Sequence, residues 1–530
     1  MSAQRKHSNP LVASLLSSRA FPDRPDSVEL VETHISYIFM TGKHVYKVRK
    51  SVDFGFLDFS TLDKRREDCY REIDLNRRIS PDVYLGVVEV RKEGESYAIG
   101  GAGEVVEYAV QMRQLPRDRA MNVLLDQGRV KPDEVERIAR KIAAFHKKAD
   151  RGEHITRKSG YPAVRQNVLE NFSQTERYIG VSIPLPVYLD LKAFSEAFLD
   201  VRRPLLERRA AQGWMRDCHG DLHSAQIFIE NGIDIIDCIE FNERFRYCDT
   251  VADIGFLAMD LDFHGRSDLS QVLIQAYQYE MDDPDLHRLL GFYKAYRAYV
   301  RGKVTSFRLD SPDLVDADRR HVEAEARRYF DLAQSYLRPL KERTLFVVMG
   351  LTGTGKTRLS ESLAGVWGAA QVSSDRVRKE LAGIPPTERK YVGYDAGIYT
   401  PEMTDMTYRE MLERAAHLLD QGSSVILDGT YRSASRREEA FSMAKARGVP
   451  TIPIECTLPD EVVRRRLHGR AKDPGVVSDG RWEIYLRQKR EFDPIDKEHI
   501  TIDTSGKAEE SLFQALKKVY AVKLEEEIVG

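Results

Sequence analysis

Cysteine is scarce in this chain. Cys69, Cys218, Cys238, Cys248 and Cys456 make five among 530 residues, an odd number with no CxxC pair. That argues against a disulfide framework and against a zinc site, and it suits a reducing cytosol. No apolar run approaches the length of a membrane span. Near the start, Leu11-Val12-Ala13-Ser14-Leu15-Leu16 is too short and serine-broken for a signal peptide, so the expected location is the cytoplasm. Charge of one sign is also missing: 81 basic residues face 83 acidic ones, a net charge of −2. That balance gives no reason to expect tight binding to nucleic acid or to an anionic membrane surface. There is no internal repeat and no low-complexity tract. What remains is 42% hydrophobic and 31% charged residues, enough apolar material for globular cores. The length suggests about three to four domains.

The most informative stretch is Gly350-Leu351-Thr352-Gly353-Thr354-Gly355-Lys356-Thr357, which fits the P-loop pattern G-x-x-x-x-G-K-[ST]. Its flanks are the ones that pattern needs. Leu345 to Met349 reads as a buried strand, and Arg358 to Trp367 as a helix closed by Gly368. Strand, loop and helix aim backbone N–H groups and a helix N-terminus at one anion. Lys356 then reaches the outer phosphates and the Thr357 hydroxyl serves Mg²⁺, so ATP or GTP is expected, with Gly350, Thr352, Gly353, Thr354 and Gly355 shaping the cradle.

P-loop domains begin just before their loop, so the upstream chain should form a separate unit. The charged, proline-bearing segment from Leu337 to Arg343 is the expected junction, dividing the chain into domains 1–338 and 343–530. Downstream, strands and helices alternate: a strand at Gln371 to Ser373, a helix from Pro401 to Asp420, a strand at Ser424 to Leu427. A helix from Ser435 to Arg447, a strand at Thr451 to Cys456 and further alternating segments to Asp503 follow. This predicts an α/β fold with a parallel sheet of about five strands. Upstream, Glu29 to Lys50 and Tyr84 to Met112 hold short alternating segments of an antiparallel sheet. Helices dominate from Pro132, where Val135, Ile138, Ala139, Ile142, Ala143 and His146 share one helical face. A β-rich lobe followed by an α-rich lobe is a protein-kinase-like α+β arrangement.

Within the first domain, His219-Gly220-Asp221-Leu222-His223-Ser224-Ala225-Gln226 and then Ile235-Ile236-Asp237-Cys238 stand out. The block resembles the H-G-D-x-H-x-x-N loop of aminoglycoside and choline phosphotransferases. That resemblance implies Asp221 as the base for an acceptor hydroxyl, Asp237 as a Mg²⁺ ligand, and Asp249 and Asp253 as braces of the loop. It also implies Lys47, in Val45-Tyr46-Lys47-Val48, as the phosphate-holding lysine, with Glu72 as its partner carboxylate. Two features depart from the family. Gln226 stands where an Asn metal ligand is expected, and the segment from Glu32 to Ser36 lacks the glycines of a nucleotide-covering loop. His219 and His223 lie in a loop with no third ligand nearby, so they read as structural rather than as zinc ligands, and His146 as a packing residue.

In the second domain, Ser373-Ser374-Asp375-Arg376-Val377-Arg378 puts a carboxylate at the C-terminal end of a strand, where open α/β sheets bind ligands. The stretch is similar to small P-loop kinases, including polynucleotide 5′-hydroxyl kinases and sugar-acid kinases. That likeness implies Asp375 as base and Arg378 as a steadying charge, while a simple helix cap at Asp375 is the other reading. Val425-Ile426-Leu427-Asp428 is Walker-B-like, making Asp428 a Mg²⁺ candidate. The segment from Arg464 to Arg470 resembles a lid, with Arg466 and Arg470 over the phosphates.

Together these features resemble the bacterial fusions of an aminoglycoside phosphotransferase-like domain with an ATP-binding P-loop domain. The resemblance implies two ATP- and Mg²⁺-dependent phosphotransferase domains acting on hydroxyl groups of small molecules, with nucleic acid and membrane as unlikely partners. The other reading is a pseudokinase or ligand-sensing module that regulates a C-terminal P-loop kinase or ATPase, with a polynucleotide 5′-hydroxyl kinase among the candidates for that half.

Overall fold

A computed structural model describes residues 9–529 apart from 54, 56, 313, 386–396 and 471–481, and leaves out the side chains of 469, 470, 528 and 529. Among the described residues no helix is long and apolar enough to cross a membrane. The chain packs into two compact units: residues 1–167 with 204–301, and residues 168–203 with 302–530.

The first unit opens with a six-stranded antiparallel sheet. Its strands are β1 (Glu29–Glu32), β2 (Ser36–Met40), β3 (His44–Arg49), β4 (Tyr84–Glu93), β5 (Ser96–Ile99) and β6 (Glu104–Arg113), in spatial order β1-β2-β3-β6-β4-β5. Side chains alternate across a strand, and β3 uses both faces. Tyr46 and Val48 enter an apolar cluster with Val12, Leu15, Phe21 and Phe39. Val45 packs on the other face beside α1 (Leu62–Arg77), where Cys69, Ile73, Tyr84, Val110 and Met112 are buried. Lys47 and Arg49 share that second face with Val45, which aims two cations at α1. The segment from Glu32 to Ser36 is the glycine-free turn between β1 and β2, in which Thr33 Oγ1 accepts from the amides of Ile35 and Ser36.

Helices follow. In α2 (Pro132–Lys148), proline fits the first turn, and Glu134 accepts from the Lys131 amide at 2.9 Å. Val135, Ile138, Ala139, Ile142 and Ala143 are buried at the expected spacing. Helix α3 (Leu185–Val201) belongs to the second unit. Short strands β7 (Met215–Asp217), β8 (Ile227–Ile229), β9 (Ile233–Ile235) and β10 (Tyr247–Asp249) form two antiparallel pairs, β10-β7 and the hairpin β8-β9. Helix α4 (Thr250–Phe263) starts at the Asp249 cap, and α5 (Ser267–Met281) packs after it. An antiparallel sheet followed by helices makes the first unit an α+β fold.

In the second unit, β11 (Leu345–Met349), β12 (Ala370–Ser373), β13 (Val425–Asp428), β14 (Thr451–Thr457) and β15 (Ile500–Asp503) form a parallel sheet ordered β12-β13-β11-β14-β15. All five residues of β11 are buried, as a strand covered on both faces requires. Val348 and Ser373 both align with Asp428, so three strand ends converge at one edge of the sheet.

The packing of this unit differs from a cut at 338 to 343. Helix α3 and α6 (Asp316–Ser335), both upstream of that cut, pack with the P-loop half. The last helix explains why. Leu512, Ala515, Leu516, Val519 and Tyr520 are buried along the helix Ala508–Val529, and they need an apolar partner. Helix α3 supplies it: Phe194 lies 5.5 Å from the Tyr520 ring, which also sits 5.6 Å from Trp367. Asp190 is fully buried at the centre. It accepts from Tyr520 Oη at 2.6 Å, Lys341 Nζ at 2.7 Å and Gln334 Nε2 at 2.8 Å.

Candidate active sites

In the first unit Lys47 sits between two carboxylates, 3.0 Å from Glu72 and 2.9 Å from Asp237. Burial disfavours its charge, but Asp237 and then Glu72 outweigh it and hold the ammonium well above its usual range. Arg49, two residues along the same strand face, was not singled out by the sequence reading. Its fully buried guanidinium donates to Asp68 at 2.7 Å, to Glu72 at 2.5 Å and to Glu240. The i, i+2 pair of cations on β3 facing the i, i+4 carboxylates Asp68 and Glu72 on α1 was the available signal. Burial pushes the Glu240 carboxyl up to about 7 despite Arg49 and Lys47.

Asp237 follows β9 with a left-handed backbone (φ 65°), uncommon outside glycine. Its amide donates to Tyr84 Oη at 2.9 Å, and its side chain is 43% exposed. Lys47 keeps this carboxyl below the ordinary range against burial. Gln226 Nε2 donates to Asp237 Oδ2 at 3.2 Å, so the amide would have to turn to present its oxygen to a cation.

The loop that carries Asp221 is fastened from beneath. Asp253 accepts from the amides of His219 and Gly220 at 3.0 and 2.9 Å, and Asp260, seven residues on in α4, accepts from Ser224 at 2.8 Å. Gly220 has φ 86°, and a Cβ there would meet Phe245 O at 3.0 Å, so this turn requires glycine. His219 is fully buried and bonds Ile236 O at 2.9 Å. His146 bonds Asp253 at 3.0 Å and Tyr277 at 2.7 Å, a packing role. Asp249 caps α4 and takes a two-pronged contact from Arg209 at 2.7 and 2.8 Å. Asp221 is 36% exposed on its side chain and lies 3.4 Å from His223. Burial alone would raise the Asp221 carboxyl; His223 and then Arg301 outweigh it and hold it below the carboxylate range.

In the second unit the P-loop runs from Gly350 into α7 (Lys356–Trp367). A Cβ on Gly350 (φ 139°) would fall 2.5 Å from Cys456 O, and one on Gly353 (φ 83°) would press Leu467 at 3.0 Å. Gly355, also left-handed, faces Thr504 and Arg466. The loop is held by Thr352 N–H on Gln488 Oε1 (2.9 Å), by Thr354 Oγ1 on Leu351 O (2.8 Å) and by Thr504 Oγ1 on Thr354 O (2.6 Å). Lys356 Nζ donates to Leu351 O at 2.8 Å. Thr504 and Gln488 had no sequence signal, since they join the loop only through tertiary packing.

Asp428, at the end of β13, is buried and has its carboxyl pushed up to about 6. Burial is the main cause; Lys356 and a Thr357 hydrogen bond pull down, Asp375 pushes up, and Gln371 Nε2 donates at 3.2 Å. Asp375 therefore lies within electrostatic reach of Asp428. It stands in the first turn of α8 (Ser374–Leu381), whose cap position is Ser373, so the simple cap reading fails on position. Arg378 is directed elsewhere: its buried guanidinium donates to Ile398 O at 3.1 Å and Thr404 Oγ1 at 3.0 Å, and lies over the Tyr399 ring. Arg466, on the helix Asp460–Arg470, donates to Thr504 O at 2.5 Å beside the P-loop; burial and then Arg358 depress its pKa. The Arg470 side chain lies outside the described residues.

Both sites offer hard oxygen donors of the kind Mg²⁺ takes: Asp428 with the Thr357 hydroxyl, and Asp237 with the Gln226 amide. The buried, reluctantly ionised Asp428 fits such an ion particularly well, because a cation offsets the cost of its burial. The same cost gives a stability prediction. The folded pKa of about 6 lies above the ordinary 3.8, so the native state binds the extra proton. Stability contributed by this group therefore falls as pH rises from about 4 to about 6, then stays reduced. Asp428→Asn should stabilise the metal-free protein at pH 8 by about 2–3 kcal/mol, and by about half as much at pH 5. Urea unfolding at the two pH values measures it; equal or lower stability of the variant at pH 8 would contradict the burial cost.

Residues 345–495 match the family described as AAA domain. An adenylate kinase of Renibacterium salmoninarum is 30% identical over 142 residues, 26% of this chain and 70% of that one. A crystal structure of a choline/ethanolamine kinase family protein from Mesorhizobium loti aligns with 62% of this chain and 95% of its own, at 13% identity and a TM-score of 0.38. The uncharacterized protein Rv2004c of Mycobacterium tuberculosis is 31% identical over 489 residues, which span 92% of this chain and 94% of that protein. Over nearly their full lengths the two are relatives, and the chain belongs to the family of that mycobacterial protein, with a P-loop kinase domain in its C-terminal part.

Proposed function

We propose that the chain is an ATP-dependent kinase with two nucleotide sites, one in the segment 1–338 and one in 343–530, each passing the γ-phosphate to a hydroxyl of a small molecule. The observation that carries this reading is the arrangement around Lys47. A lysine bridges Glu72 and Asp237 while a separate, ionised carboxylate, Asp221, stands on a braced loop. Charge to hold phosphates and a base to receive a proton are thus both provided.

In the first site Lys47 neutralises the phosphates, Glu72 fixes Lys47, and Asp221 orients the acceptor hydroxyl and takes its proton as the new O–P bond forms. In the second, the P-loop amides and Lys356 hold the β- and γ-phosphates, Asp375 is the base, and Arg466 steadies charge from the side of Gly355. Arg378 acts there through α8 and the Thr404 region rather than on phosphate. Asp237 with Gln226, and Thr357 with Asp428, would hold Mg²⁺, which would supply charge neutralisation on the triphosphate. Likeness to an adenylate kinase supports ATP and a small acceptor for the second site.

The test is a screen of hydroxylated metabolites with γ-labelled ATP, using the full chain and Lys356→Ala. Removing the lysine should lower transfer to acceptors of the second site by about 10²–10³-fold, the scale of one lost charge-stabilising donor. Products of the first site should persist. Loss of every product in Lys356→Ala would mean that only the P-loop site transfers phosphate, leaving the first unit a ligand-sensing module.

A further inference from the structure

His223, structural on the sequence reading, is the side chain that touches the candidate base. It is 8% exposed, sits against the Phe256 ring at 5.5 Å between centroids, and places Nε2 3.4 Å from Asp221 Oδ2. Each element around it contributes one charge. Asp221 comes from its own loop, Asp260 from α4, and Arg301 from the helix Leu286–Phe307. Asp260 is already tied to the Ser224 amide, which fixes the backbone next to the imidazole. A histidine whose role was only to fill space would have no reason to aim a nitrogen at the one half-exposed carboxylate of the loop.

We propose that His223 is the positioning residue of Asp221: its imidazole aims the carboxylate at the acceptor, and its protonation withholds that carboxylate from proton transfer. The inference rests on the kinase reading of the first site. In the transfer step the acceptor oxygen bonds to Pγ, the bond from Pγ to the bridging oxygen of ADP breaks, and the acceptor proton passes to Asp221. An adjacent imidazolium lowers the proton affinity of Asp221 and opposes that step; a neutral imidazole orients the carboxylate without opposing it. Burial disfavours the imidazolium, but Asp221 and then Asp260 outweigh burial and the opposing Arg301, so the pKa lies above the ordinary 6.5. The sign follows: transfer is suppressed at low pH and rises as pH passes through this raised value.

Two measurements on the full chain carrying Lys356→Ala, which silences the P-loop site, decide the matter. The first follows the ring nitrogens of His223 by NMR against pH, its signal assigned by its loss in His223→Gln. Replacing Asp221 by Asn should lower the His223 pKa by about one unit or more. An unchanged pKa overturns the pairing whether or not the protein turns over ATP. The second is the pH profile of Mg·ATP turnover, with water or an acceptor from the screen. Wild-type His223 should give a limb that rises about tenfold per pH unit below its midpoint. In His223→Gln, whose amide still reaches Asp221 but does not titrate, the limb should vanish while the high-pH rate stays within a few-fold. His223→Phe should lose both limb and rate. A limb that survives in His223→Gln overturns the proposal, whereas no first-site turnover at any pH overturns the kinase reading beneath it.

Discussion

Asp221→Asn should lower phosphate transfer by the first site about 10²–10⁴-fold, the usual contribution of a general base. Its affinity for Mg·ATP should stay close to wild type. The substitution keeps size and shape, and the loop does not depend on that carboxylate for its own shape. Asp253 and Asp260 carry the backbone contacts, and Gly220 makes the turn. The groups proposed to hold nucleotide, Lys47, Glu72 and Asp237, are bonded through Lys47 rather than to Asp221. Transfer by the P-loop site should not change, because its candidate base is Asp375. Equilibrium nucleotide binding measured beside single-turnover transfer separates the two effects. A variant with unchanged transfer would remove Asp221 from the chemistry. A variant that no longer binds nucleotide would show that the carboxylate is needed to hold it.

The second large effect concerns folding. A fragment of residues 343–530, which looks complete on its P-loop signature, should not melt cooperatively. The cut removes α3, and with it Phe194 and Asp190 from the buried face of the last helix. Truncating a single buried aromatic costs about 3–5 kcal/mol. Whole-domain stability is only about 5–15 kcal/mol, so losing several such contacts together is enough to unfold it. The uncovered Trp367 and Tyr520 should also promote aggregation. Calorimetry and light scattering on the fragment against the full chain test this. A monomeric fragment with a sharp transition would show that α3 is dispensable.

These results mark where the sequence was legible. The P-loop can be read because its demands are local: three left-handed glycines, one lysine and one hydroxyl within eight positions, flanked by strand and helix. The five parallel strands follow for the same reason, since each apolar run is closed by its own glycine, proline or cap. The pairing of Lys47 with Glu72 and Asp237 was accessible only through resemblance, as those residues are far apart in sequence and nothing local joins them. The role of α3 was hidden more deeply, because an amphipathic helix does not specify which surface will cover it. Arg378 shows a further limit. Its i, i+3 spacing from Asp375 is correct, but the guanidinium is taken by Ile398, Thr404 and Tyr399.

The sharing of Glu72 between Lys47 and Arg49 bears on control. In enzymes of this general architecture a swinging helix can serve as a switch, breaking one ion pair to turn the site off. Here α1 is tied by two cations, and Arg49 also engages Asp68 on the same helix. Moving α1 outward would take Asp68 and Glu72 from a fully buried guanidinium and leave it Glu240 alone among the carboxylates, and breaking a buried pair costs about 3–5 kcal/mol. At that cost fewer than about one molecule in a hundred would rest in the open state. On the kinase reading proposed for it, the first unit is held ready at all times, and its output should follow the supply of acceptor and nucleotide rather than a posture of the helix.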